Sequence, residues 1–87
     1  MQRLSPSEIW ILSVESGFDP LAHNPQSTAF GVGQLILANR ELYGRKLNFN
    51  PDTQEFQEQV AMFRAYVFDR YHTADHAKAF HKAHGWY

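Results

Sequence analysis

Phe56, Val60, Phe63, Val67 and Tyr71 recur at spacings of 4, 3, 4 and 4, which is one face of a long amphipathic helix. These five side chains form its apolar stripe. In 87 residues there is room for one domain, and folding hides only about 60% of the unfolded surface at this size. Asp52-Thr53-Gln54-Glu55 offers N-terminal caps just before the stripe.

The remaining segments are read from their caps. Ser5-Pro6-Ser7-Glu8 is a capping box with proline at the first helical position. It predicts a helix through Ile9, Trp10, Leu12 and Val14 that stops at Gly17. Residues 17–33 carry Gly17, Pro20, Asn24, Pro25, Gly31 and Gly33, which are turn signals. A short helix is expected from about Gly33 to Tyr43, with Gly44 ending it, and a loop follows over 45–51. A last helix is expected to begin near Thr73, with Asp75 in its first turn, Ala77 and Phe80 on its inner side, and Gly85 at its end. No alternating run is long enough for a strand. The expected fold class is mainly α, a small helical domain with little or no β-sheet.

Composition excludes several function classes. Cysteine is absent, so there is no disulfide, thiolate metal site or Cys nucleophile. Eight Lys and Arg against nine Asp and Glu give a net charge of −1. The basic residues are scattered, which argues against a nucleic-acid partner held through phosphates. Apolar runs reach only four residues, as at Ile9–Leu12, far short of the roughly 20 residues of a membrane span. No secretory leader is visible. Four of five histidines fall in the last 16 residues. His72 and His76, and His81 and His84, have helical ligand spacings, but a helix start at Thr73 separates the first pair. Packing or polar roles are favoured, with no metal and no cofactor expected.

Glu15 stands out as a candidate acid. At 100° per residue its angular neighbours are Ile11 and Leu12, one turn back. A carboxylate on an apolar sector near a helix C-terminus meets desolvation and the negative end of the helix dipole, and both raise its pKa. A general acid working near neutral pH needs that shift. The alternative reading is a solvated glutamate that merely ends a helix. Asp19, before Pro20, reads as a turn residue bonding its own backbone. Facing Glu15 instead, it would make hydrolysis by water plausible.

The ordered set around Glu15 narrows the choice. Glu15-Ser16-Gly17-Phe18-Asp19-Pro20, Ala22, Asn24-Pro25 and Ser27-Thr28-Ala29-Phe30-Gly31-Val32-Gly33-Gln34 resemble the soluble lytic transglycosylases, whose fold is that of lysozyme. Arg70-Tyr71-His72-Thr73, Ala77, Phe80-His81 and His84-Gly85-Trp86-Tyr87 resemble the ending of transglycosylase-like domains in phage tail tape-measure and actinobacterial proteins. Together these motifs cover most of residues 10–87.

The resemblance implies peptidoglycan glycan strands as partner and substrate, with Glu15 as catalytic acid/base. It implies cleavage of the bond between N-acetylmuramic acid and N-acetylglucosamine, leaving 1,6-anhydro ends. A hydrolysing muramidase or a non-catalytic peptidoglycan-binding module is the alternative. Ser16 matches a serine that supports the site, and Gln34 a glutamine lining the sugar groove, with loop bonding as its alternative. Ala29 leaves room for substrate. Phe30 replaces a usual tyrosine and so lacks its hydroxyl. Tyr66, off the main stripe, either points its hydroxyl into the site or packs in the core. The family's Ala-x-x-Tyr-Asn segment is absent, and His81 is the candidate to supply its polar group. The expected setting is the extracellular or periplasmic wall or a phage tail. The expected form is a single monomeric domain over 1–87, excised from a larger protein.

Overall fold

A computed structural model describes residues 3–87 as four helices: α1 (Pro6–Ser16), α2 (Leu37–Leu47), α3 (Phe56–Tyr71) and α4 (Ala74–His84). Met1 and Gln2 lie outside the described residues. The domain is mainly α; among the described residues there is no strand, only isolated bridges from Phe30 to His23 and to Leu35. None of the described helices is long and apolar enough to cross a membrane.

α3 is the centre of the fold. α2 packs on one side of it and α4 on the other, and α4 also packs on α1. From the predicted stripe Val60, Phe63 and Val67 are buried, Met62 and Tyr66 widen the buried arc, and Phe56 and Tyr71 are half-buried at its ends. Ile11 and Leu12 of α1, Val32 and Leu35 of the long loop, Tyr43 of α2 and Ala77 of α4 complete the core.

Three of the helix starts follow the capping chemistry. Ser5 and Glu8 close a reciprocal capping box on α1, and Gly17 ends that helix in the left-handed region. Thr73 caps α4 through the His76 amide, and Gly85 ends it. The cap of α3 is Glu55, whose carboxylate accepts from the Glu58 amide. Glu8 also reaches across to Arg64 on α3, with Nε to Oε2 at 2.8 Å. Ser7 donates to Asp75, which joins the starts of α1 and α4.

α2 departs from the expected 33–43 at both ends. Gln34 has φ +54°, and Leu35 is bridged to Phe30, so the helix waits until Leu37. Its cap comes from a distance, because the Leu37 amide donates to Thr28 Oγ1 at 2.9 Å. Gly44 does not stop the helix. It lies inside α2, and Asn48 in the left-handed region is the end. Glycine is needed at 44 for close approach: a Cβ there would sit 2.8 Å from the Phe49 carbonyl oxygen.

The loop between α1 and α2 is fastened by two buried polar side chains. Arg40, 7% exposed, donates to the carbonyls of Thr28, Leu35 and Pro51 and pairs with Asp52. Gln59 on α3 accepts from the Val32 amide and donates to the carbonyls of Pro20 and Thr53. Gly31 passes directly over Gln59; a Cβ would fall 2.7 Å from its Oε1, and φ is +85°. The loop thus lies as a fixed wall against α3, which positions the site.

Candidate active site

The end of α1, the loop wall and the tail after α4 enclose a cleft of about 380 Å³. Glu15 lies on its surface, in the last turn of α1. The neighbours expected one turn back, Ile11 and Leu12, are both fully buried. Burial pushes the Glu15 carboxyl above its usual range, opposed by the hydrogen bond and charge of His81. Among the described residues lining this cleft, Glu15 has the only carboxylate side chain.

His81 reaches Glu15 from the last turn of α4, with Nε2 2.9 Å from Oε1. The imidazole is 7% exposed. The edge contact with Trp10 has ring centroids 5.2 Å apart, and the Tyr87 ring stacks on it at 5.9 Å. Two rings therefore set the plane of the imidazole and aim one nitrogen at the carboxylate. The other oxygen of Glu15 has no protein partner among the described residues.

The tail forms the far wall. The Tyr66 hydroxyl donates to the Tyr87 carbonyl at 2.7 Å, and the Tyr87 hydroxyl donates to the Gly33 carbonyl. Burial and the nearby Glu15 push the Tyr87 phenol well above its usual pKa, so it stays a neutral donor. Trp86 is 53% exposed at the rim. Its exposed indole offers a stacking surface beside the cleft.

The structure brings most of the sequence-predicted residues together. Glu15, Ala29, Gln34 and Tyr66 line the cleft, and His81 bonds Glu15. Tyr66 packs in the core, 3% exposed, and its hydroxyl holds the tail. Gln34 fills its loop-bonding alternative through Nε2, which donates to the carbonyls of Ala22 and Gly31 at 2.9 Å each, while still bordering the cleft. Ser16 does not bond Glu15. Its hydroxyl donates to the Val32 carbonyl at 2.7 Å and to Leu12 at 3.2 Å, which fastens the loop to the end of α1.

Phe30 is placed elsewhere. It lines a second, shallower depression with His23, Thr28 and Arg40, and the Arg40 guanidinium lies 5.5 Å from its ring centroid. Its missing hydroxyl therefore has no bearing on Glu15. Asp19 accepts from the Leu21 amide at 2.9 Å, which is the turn role expected of it.

The other histidines are dispersed. His72 ends α3 with φ +68°, His76 sits on the Tyr71 carbonyl, and His84 packs on Phe80. Among the described residues no three His, Asp or Glu converge on one point.

Sequence reasoning passed over Asn39, Arg70, Trp86 and Tyr87 as site residues. An aromatic pair directly after a helix-ending glycine was the available signal for the last two. No known protein family, curated protein or solved structure matches the chain in comparisons.

Proposed function

We propose that this domain cleaves peptidoglycan glycan strands as a lytic transglycosylase, with Glu15 as the single acid/base. The observation that carries the reading is one desolvated carboxylate in a cleft that offers no second acidic side chain among the described residues. Ordinary retaining and inverting glycosidases need two carboxyl groups at defined separations. A mechanism in which one group gives and then takes a proton needs only one.

In this reading the neutral form of Glu15, which burial favours, donates its proton to the glycosidic oxygen between N-acetylmuramic acid and N-acetylglucosamine. The resulting carboxylate then takes the proton of the muramic 6-hydroxyl, whose oxygen closes onto C1 as the 1,6-anhydro ring. His81, with Nε2 protonated, donates to Glu15 Oε1 once the carboxyl has released its proton, and leaves the second oxygen to the substrate. Trp86 offers a stacking face, and Asn39 offers amide hydrogen bonds. The fold assignment that goes with this function is lysozyme-like. Its place of action is the cell wall or a phage tail that penetrates it.

The test is mass spectrometry of a peptidoglycan digest. Anhydro-muropeptides are expected, and Glu15→Gln should abolish them while helical circular dichroism is unchanged. Reducing ends would replace the reading with a hydrolysing muramidase. Binding without products would replace it with a non-catalytic module.

A further inference from the structure

Among the described residues lining the cleft, Arg70 is the only lysine or arginine. It stands in the last turn of α3 and is exposed. The guanidinium lies 5.4 Å from the Tyr66 ring centroid and 5.9 Å from that of Tyr71. This aromatic shelf holds the cation in place through the ring quadrupoles.

No acidic side chain among the described residues forms an ion pair with Arg70. Asp69, next in sequence, is taken by Tyr43 and Lys46. Glu15 is taken by His81. Glu15, Tyr66 and Arg70 line the same cleft. A polysaccharide laid in the cleft would strip water from Arg70, which is costly unless the ligand brings an anion. The sugar backbone is neutral. In peptidoglycan the acidic groups hang from the muramic 3-oxygen, as the free lactyl carboxylate or as carboxylates of the attached peptide.

We propose that Arg70 is a specificity-determining residue, the subsite for a carboxylate carried on the muramic 3-O substituent. The assignment rests on the peptidoglycan reading above. Planar guanidinium and carboxylate match as a charge-assisted pair, so binding reports whether an acidic sugar occupies that position. Packing on the tyrosines alone would make Arg70 indifferent to the charge of the substrate.

The test compares wild type, Arg70→Gln and Arg70→Lys on three soluble glycan strands. One bears peptide stems, one is stripped to the free lactyl carboxylate, and one is stripped and then converted to the neutral methylamide. For wild type, KM should rise about fivefold when the carboxylate is neutralised, a size ordinary for a partly exposed charge pair. Arg70→Gln should raise KM by the same factor on at least one acidic strand and leave the neutral strand unaffected, with kcat nearly constant. The acidic strand on which it does so identifies the source as lactyl or peptide. Arg70→Lys should recover most of the loss. Equal losses on neutral and acidic strands, or equal wild-type KM on all three, overturn the subsite and leave the peptidoglycan reading intact. Failure of wild type to cleave any strand overturns both.

Discussion

Replacing Gln59 with leucine tests how the cleft wall is held. Gln59 is 5% exposed and spends three hydrogen bonds on the loop side: the Val32 amide at 2.9 Å, the Pro20 carbonyl at 2.9 Å and the Thr53 carbonyl at 2.8 Å. Leucine keeps about the same volume, so no cavity is expected. Val32 is fully buried, and its orphaned amide costs about 2 kcal/mol. The Pro20 and Thr53 carbonyls belong to half-buried residues and regain water in part, adding about 0.5 kcal/mol each. The sum is about 3 kcal/mol, against a total of roughly 4–13 kcal/mol for a domain of this length. It should lower Tm by about 10–20 °C. Thermal and urea unfolding followed by circular dichroism measure this, and hydrogen exchange of the Val32 amide reports the local cause. A Tm within about 3 °C of wild type, or an unaltered Val32 exchange rate, would refute the assignment of Gln59 as the clip.

Further outcomes concern other parts of the fold. Gly44→Ala should destabilise although alanine gains about 1 kcal/mol in helix propensity, because its Cβ meets the Phe49 carbonyl at 2.8 Å; a higher urea midpoint would contradict the close approach. The folded-state pKa of Glu15 lies above the ordinary 4.5, so its contribution to stability is full below 4.5 and is lost as pH rises through the folded value. Glu15→Gln should therefore raise Tm at neutral pH and not below pH 4, as scans at both pH values would show. Glu8 has the opposite sign: its pairing with Arg64 and bonds to Ser5 hold its pKa below 4.5, so its stabilisation is present above 4.5 and fades as pH falls through the folded value. Glu8→Gln should cost about 1 kcal/mol at pH 7 and flatten the acid limb of the stability profile.

The helices were legible because their signals are local. Ser5 and Glu8, Thr73 and Gly85 act within one turn of themselves, and the α3 stripe needs only a periodicity. α2 was misplaced because its start depends on Thr28, nine residues upstream, and on the bridge between Phe30 and Leu35. Gly44 was read as a stop because glycine commonly ends helices, whereas here the returning chain at Phe49 demands it. At the site, helical geometry put Ile11 and Leu12 one turn back from Glu15 but left a solvated carboxylate open, because the burial also depends on His81 from α4. The partner of Ser16 was not legible, because the Val32 carbonyl comes from a loop whose path is fixed by Gln59 and Arg40. Neither residue carries a sequence signal, since a buried arginine in a helix reads as a solvated one.

The pairing of Glu15 with His81 spans 66 positions, and that of Tyr87 with Gly33 spans 54. Contacts of such reach carry the largest loop-closure cost. α4 docks on α1 and α3 but not on α2, so its release would dismantle the acid and the tail wall together while α2 stays on α3. On the proposed reading, cleavage would then require complete assembly, and a chain that is mostly folded would still be inert.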